Sequence, residues 1–363
     1  MLKSLRYGLI GCGMMGREHL RNIALLDHCN VTKIFEPNAG MRSAAKAIAP
    51  NAEFLDNPED VITDDNVDCL VITSPNHFHL PQLELIARLM PKPILVEKPL
   101  YTAPEDENRI AQLQERYSAP LWVAMEYRYM PAIASFLEKV DGATGGIKML
   151  TIREHRFPFL QKVDDWNRFN KNSGGTLVEK CCHFFDLMRL AMGDEVVRVM
   201  ASAGQDANHL DEIYAGKTPD IWDNGYVILD FANGARAMLE LCMFAEGSRY
   251  QEKISAIGPT GMIEVNVPGP TRFWPQHAGP PPVAEVTISP RETQVPVSYP
   301  VEVDSVLLDA GDHNGATFFQ HQKFAAMVRN GTSADVTFED GAKAVAIGLA
   351  AQKSAELGQA VLL

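Results

Sequence analysis

The chain has 363 residues, of which 46% are apolar and 22% charged, and a formal net charge of −13. That length exceeds what one hydrophobic core usually supports, so two domains are expected. The acidic balance opposes binding to nucleic acid or to an anionic membrane surface, which leaves small-molecule chemistry.

The first residues, "MLKSLRYGLIGCG", lead straight into an apolar strand without a signal-type apolar core, and no apolar run reaches the roughly 18 residues a membrane span needs. A cytoplasmic protein is expected. Its six cysteines, Cys12, Cys29, Cys69, Cys181, Cys182 and Cys242, are scattered without CxxC pairs, a pattern of reduced thiols used as small hydrophobes.

From residue 5 to about residue 127, apolar runs alternate with helical patterns. The runs are "RYGLIG", "VTKIFE", "VDCLVIT", "PILVEKP" and "LWVAMEY"; the helices fall near 15–26, 39–49, 78–90 and 104–117. This rhythm predicts βαβ units in a doubly wound parallel sheet, a Rossmann domain over residues 1–128. Beyond Pro131 the texture changes to the alternating strands "IKMLTIREHRF", "DNGYVILDF", "ARAMLELCMF", "YQEKISAIG" and "GMIEVNV", set around one helix near 176–191. Residues 129–363 are therefore expected to form an α+β domain on a large, mostly antiparallel open sheet. Residues 266–282, rich in Pro and Gly, are expected to be a surface loop, and two helical patterns follow "HNG" at 313–315.

"GLIGCGMMGREH" places Gly11, Gly13 and Gly16 as GxGxxG between a strand and a helix, with Met14 and Met15 at the helix start. Such a turn lets a pyrophosphate approach the backbone and meet the N–H groups of the helix N-terminus. Glu36 ends the second strand twenty residues after Gly16, where its carboxylate accepts ribose hydroxyls and repels a 2′-phosphate. NAD is favoured; Arg42, just beyond, keeps NADP open. Further along, "VITSPNHFH" brings Thr73, Ser74, Pro75, Asn76 and His79 to the carboxyl edge of the sheet, where ligands bind in this class. "LVEKP" brings Glu97, Lys98 and Pro99 to the same crevice. A cis Lys98–Pro99 bond would sharpen the turn that aims Lys98 inward.

Taken in order, these segments resemble the glucose-fructose oxidoreductase, inositol dehydrogenase and rhizopine-catabolism family (Gfo/Idh/MocA). The resemblance rests on Gly11 to Gly16, "SPNHFH" at 74–79, Glu97-Lys98-Pro99, Arg128 to Pro131, Gly174-Gly175, and Glu179 with His183 and Asp186. It implies NAD(P)-linked oxidation of a secondary alcohol on a sugar or cyclitol, with chains paired as homodimers or homotetramers through the second domain's sheet. It also implies that Lys98 bonds the reacting oxygen and that His183 is the general acid/base. Glu179 stands where the family has aspartate.

"GGTLVEKCCHFFD", residues 174–186, also has the composition of a soft-metal site. On one continuous helix, with Glu179 at 0°, His183 falls at about 40°, Asp186 at about −20°, Cys182 at about −60° and Cys181 at about 200°. The two cysteines then cannot converge on one ion, so no metal is expected and proton handling is favoured. Glu179 is expected to orient His183 or bind a second hydroxyl, Asp186 to be a structural partner, and Cys182 a small wall residue. Lys180 is either salt-bridged or a substrate contact. Trp166 and Arg168 are candidates for lining the substrate and nicotinamide pocket, with a loop anchor as the alternative for Trp166. Arg128 is a domain-junction residue first and a substrate contact second, and Asp223 and Asn224 are turn residues. Two rivals to a dehydrogenase remain: a redox-neutral sugar enzyme that holds NAD tightly, and a non-catalytic dinucleotide sensor.

Overall fold

The structure, a computed structural model, describes residues 4–363. The first sheet is wholly parallel and runs β3-β2-β1-β4-β5-β6, built from β1 (Leu5–Ile10), β2 (Cys29–Phe35), β3 (Glu53–Leu55), β4 (Cys69–Ile72), β5 (Ile94–Val96) and β6 (Leu121–Val123). This is the strand order of dinucleotide-binding folds. Helices α1 (Met14–Ala24), α2 (Ala39–Ile48), α3 (Pro58–Thr63), α4 (His79–Leu89) and α5 (Glu107–Arg116) connect the strands. Every residue of β4 and β5 is buried, which is why they read as unbroken apolar runs. The three-residue edge strand β3 carries no such run, and α3 is only six residues long; neither stands out in the sequence.

Pro131, the proline of the RxxP motif, is the first residue of α6 (Pro131–Thr144), where its missing N–H costs nothing. Then come β7 (Met149–His155), α7 (Asn170–Ser173), α8 (Thr176–Glu179), α9 (Cys182–Met192), β8 (Val196–Gly204), β9 (Asn224–Phe231), β10 (Arg236–Cys242), β11 (Glu252–Gly258), β12 (Gly261–Val267), β13 (Ala284–Pro290) and β14 (Val297–Val301). The chain ends with α10 (Ser305–Ala310), α11 (Ala316–Asn330), α12 (Phe338–Leu357) and β15 (Val361–Leu362). The second sheet runs β14-β13-β12-β11-β7-β10-β9-β8-β15, and its pairings are antiparallel except β10 with β7. Its strands alternate: Gly225, Val227, Leu229 and Phe231 of β9 face the core, Tyr226 and Ile228 face outward. Between β12 and β13 lie only two single turns, Thr271–Phe273 and Gln276–Ala278.

Two corrections concern the helices. The expected helix over 176–191 is two, because Lys180 and Cys181 lie between α8 and α9. The region after Pro131 also holds α6 and α10, which the strand-rich texture conceals.

The C-terminal helices return to the first sheet. Helix α11 packs on α1, and α12 lies against β6, α8, α9 and β8. Small residues permit this approach: a Cβ at Gly341 would fall 2.7 Å from Val123, and one at Gly348 2.7 Å from the Leu177 carbonyl oxygen.

A buried polar joint fastens α1 to the segment before α11. His313 Nδ1 lies 2.8 Å from Glu18 Oε1, and the Thr317 hydroxyl lies 2.9 Å from Glu18 Oε1 and 2.8 Å from Glu126 Oε2. Burial disfavours the charge on Glu18, but His313 outweighs it and lowers the carboxyl from 4.5 to about 2. Burial likewise opposes the imidazolium, but Glu126 and Glu18 raise His313 from 6.5 to about 9. The Glu18 contribution is present above pH 4.5 and lost as pH falls through 2; that of His313 is present below 6.5 and lost as pH rises through 9. His313→Gln should cost about 3 kcal/mol near pH 6. In thermal melts it should also flatten the fall in midpoint between pH 6.5 and 9 that the unaltered protein shows.

Candidate active site

The glycine loop is shaped by two packing demands and one open space. Gly11 has φ +88°, and a Cβ there would lie 2.7 Å from Ser74 N; a Cβ on Gly16 would lie 2.8 Å from Thr73 Oγ1. A Cβ on Gly13 would meet nothing within 4 Å. Packing thus explains Gly11 and Gly16, while Gly13 leaves an open approach to the N-terminus of α1, which no side chain caps. Met14 and Met15 begin that helix, half-exposed. Thr73 Oγ1 donates to the Gly11 carbonyl at 2.7 Å and ties the loop to β4. Glu36 faces the same loop: Oε2 accepts Cys12 N–H at 2.6 Å and Oε1 accepts Asn38 N–H at 2.8 Å. Arg42 is turned away, paired with Asp56 at 2.8 Å and donating to the Phe54 carbonyl at 2.7 Å. These residues fit a dinucleotide, with its pyrophosphate at α1 and its ribose near Glu36.

At the edges of β4 and β5, two expected cofactor residues have other partners. His79 is buried, with Nδ1 2.7 Å from the Pro99 carbonyl and Nε2 3.0 Å from the Ser74 carbonyl, so it clamps two loops instead of facing a ligand. Glu97 is buried as well, 2.9 Å from His19 Nε2, and its Oε2 accepts the Lys98 N–H at 3.2 Å. Burial raises its carboxyl, but the bond to His19 outweighs that and the net direction is downward. His19 Nδ1 in turn lies 2.7 Å from His321 Nε2 on α11. Ser74 Oγ donates to Gln82 Oε1 at 2.6 Å, Pro75 is half-buried beside it, and Asn76 Nδ2 reaches the Ser173 carbonyl at 3.3 Å.

Lys98 crosses from this edge to α8. Its ammonium donates to the Glu179 carbonyl oxygen at 2.8 Å, and the Lys98–Pro99 bond is cis. Gly174 and Gly175 (φ +86° and +84°) make the turn into α8. A Cβ on Gly175 would collide with the Gln352 amide, whose Oε1 accepts the Leu177 N–H at 3.2 Å.

The side chains of α8 and α9 sort differently from the single-helix projection. Glu179 does not bond His183: its Oε1 lies 3.3 Å from Lys162 Nζ, and its buried Oε2 has no hydrogen-bond partner. His183 instead stacks on Tyr127, with centroids 4.3 Å apart and planes 7° apart, and its buried Nδ1 is unpartnered. Burial, then the charges of Lys98, Lys180, His313 and Arg156, hold His183 well below 6.5. Asp186 accepts a bidentate pair from Arg128, at 2.6 and 2.5 Å, and Arg128 Nη1 reaches the Asp335 carbonyl. Arg128 is therefore a junction residue, and its guanidinium is not offered to substrate. Lys180 is buried between Tyr127 Oη, 2.6 Å away, and Glu154 Oε1, 2.9 Å away. Cys181 and Cys182 are both fully buried; burial pushes Cys182 up to about 12. Among the described residues, the group of His and carboxylates close enough to hold an ion is Glu18, Glu126 and His313, in the joint and not in this stretch, and its members are bonded to one another or to Thr317.

Arg168 pairs with Glu212 at 2.9 Å, which ties it to the loop between β8 and β9. Trp166 is buried beneath Lys162, whose Nζ sits 4.6 Å from the ring centroid. Asp223 accepts the N–H groups of Asp206, Ala207 and Asn208, the loop-organising role expected of a turn residue. Sequence patterns pass over Tyr127, Glu154, Lys162 and Glu252. None lies in a recognisable motif, and only the strand alternation, which places Glu154 on the inward face of β7 and Glu252 on that of β11, hints at two of them.

Two family models match the chain. "Oxidoreductase family, NAD-binding Rossmann fold" covers residues 5–125, and "Oxidoreductase family, C-terminal alpha/beta domain" covers residues 138–363. An inositol 2-dehydrogenase of Corynebacterium glutamicum (strain R) is 28% identical over 283 residues, 76% of this chain and 77% of that protein. A myo-inositol 2-dehydrogenase of Thermotoga maritima is 24% identical, over 99% of this chain and 98% of that protein. Among solved structures, levoglucosan dehydrogenase in complex with NADH and levoglucosan superposes with a TM-score of 0.80 at 21% identity, covering 99% of each chain. The two matched segments take in nearly the whole chain, which belongs to the GFO/IDH/MocA family of oxidoreductases and carries that family's NAD-binding Rossmann fold.

Proposed function

We propose that the chain is an NAD-dependent dehydrogenase that oxidises a secondary alcohol of a sugar, sugar derivative or cyclitol. The observation that carries this is the bond from Lys98 Nζ, at the edge of the dinucleotide sheet, to the carbonyl of Glu179, the residue four positions before His183. The relatives named for inositol and levoglucosan support the substrate class.

NAD supplies the hydride acceptor. Gly11, Gly13, Met14, Met15 and Gly16 would hold it at the loop, with Glu36, Thr73, Ser74, Pro75 and Asn76 around it. The carboxylate of Glu36 disfavours a 2′-phosphate, and Arg42, engaged with Asp56, offers that phosphate no partner. Lys98 has three donors and gives one to Glu179, so two remain for the carbinol oxygen as it gains negative charge. His183 is neutral at pH 7 and accepts the departing proton, its ring plane set by Tyr127. The unpartnered Oε2 of Glu179 suits a neighbouring hydroxyl of the substrate. Trp166 and Lys162 form the wall beside it.

The outer face of the second sheet exposes Met149, Met200, Tyr226, Ile228 and Ile257. We infer that chains pair through this face; light scattering would then report twice or four times the chain mass of 40.1 kDa.

NADH formation at 340 nm across polyols and aldoses tests the activity, and turnover with no NADH would overturn it. Lys98→Met should keep NAD binding while kcat falls about 100-fold or more, and wild-type rates in that variant would remove Lys98 from the chemistry. His183 is held well below 6.5, so protonation of this base should slow oxidation as pH falls well under that value. His183→Ala should lose this acid limb along with most of the rate; a pH profile identical to wild type would count against its role as base.

A further inference from the structure

Lys180 lies next to the proposed chemistry without taking part in it. Its buried ammonium bonds Tyr127 Oη, and Tyr127 is the ring on which His183 stacks. The same ammonium sits 4.8 Å from the Tyr127 centroid and 5.6 Å from that of Phe184. Behind Lys180, Glu154 of β7 and Glu252 of β11 are directly opposed across the antiparallel ladder, and they are 0% and 1% exposed. Two carboxylates so placed and so dry disfavour each other's charge, because no water disperses either. The cations facing the pair are Lys180, between α8 and α9, and Arg156, just past β7, whose Nη1 is 3.5 Å from Glu154 Oε1. Gln251 Nε2 donates to Glu252 at 2.6 Å, while Glu252 Oε2 and Glu154 Oε2 have no hydrogen-bond partner. The charges that face His183, from Lys98, Lys180, His313 and Arg156, are all positive, and two of these four cations also face the carboxyl pair.

We propose that Glu252 is a positioning residue for the reaction: buried opposite Glu154 it holds a proton, and the charge that appears when that proton leaves reaches His183 through Lys180 and Tyr127. The inference rests on His183 being the base. Burial, then Glu154, push Glu252 up to about 7, so its proton leaves within the working range. Its departure adds negative charge beside Lys180. An imidazolium at His183 then forms more easily, and alcohol oxidation speeds up.

The test follows the ring ¹⁵N signals of His183 in the full-length protein from pH 5 to 9, assigned by their loss in His183→Gln. The unaltered protein should show an inflection near pH 7 in addition to the protonation of His183 itself. Glu252→Gln should abolish that inflection. Glu154→Gln, which leaves Glu252 with no like charge opposite, should move it to lower pH, a displacement that a merely structural role would not produce. A His183 signal flat through pH 7, an inflection that persists in Glu252→Gln, or one that stays in place in Glu154→Gln would each overturn the proposal. In turnover, kcat should rise about threefold through the same pH, the effect of one charge acting across two side chains, and Glu252→Gln should lose that rise with KM for NAD unchanged. Should no polyol be oxidised by any form, the dehydrogenase assignment fails while the His183 signals still decide this one.

Discussion

The Lys98 ammonium bound to the Glu179 carbonyl, 2.8 Å away, is the contact on which the site depends. One partner lies just past a strand of the dinucleotide sheet and the other ends a short helix of the second half, so this hydrogen bond registers the lysine against α8. It works because both sides are braced. Lys98 is held from behind by Glu97, His19 and His321, a buried chain that runs into α11. Glu179 is held by α12, where Gly348 admits the backbone of α8 and Gln352 accepts an N–H from it. A larger residue at Gly175 or Gly348 would push α8 away from Lys98.

Burial decides the electrostatics around that contact. The groups near His183 are mostly cationic and mostly dry, so its imidazole stays neutral where a solvated histidine would be partly charged. The same dryness makes every unpaired charge costly, and the structure answers with pairs: Arg128 with Asp186, Lys162 with Glu179, Lys180 with Glu154, His313 with Glu18. Breaking one pair strands its partner, so substitutions here bear on folding and chemistry together.

Much of the dinucleotide half is legible in the chain, because buried parallel strands are apolar on both faces and the GxGxxG turn has few structural alternatives. The strands of the second sheet from β7 to β12, apart from β8, are legible for a related reason, their period of two. The segments that escaped are β3, β8, β13, β14 and β15, together with α3, α6, α7 and α10. Several are short or lie at sheet edges, where little apolar surface is buried. Others, such as α6, sit where strand-like composition surrounds a helix that packing stabilises.

By itself the sequence determined the fold class, the family resemblance, the cofactor loop, and Lys98 and His183 as the residues of interest, since each follows from local spacing or an ordered set of motifs. Tertiary structure alone decided who partners whom. It broke the helix at Lys180 and Cys181, moved Glu179 from His183 to Lys162, and turned Arg128 to Asp186. It also withdrew His79 and Glu97 into loop and core contacts, and brought Glu154 and Glu252 face to face. The reason is physical: a side chain's type and helical phase limit what it can do, but a buried charge takes the partner that long-range packing brings within about 3 Å, and residues a hundred positions apart share no local pattern.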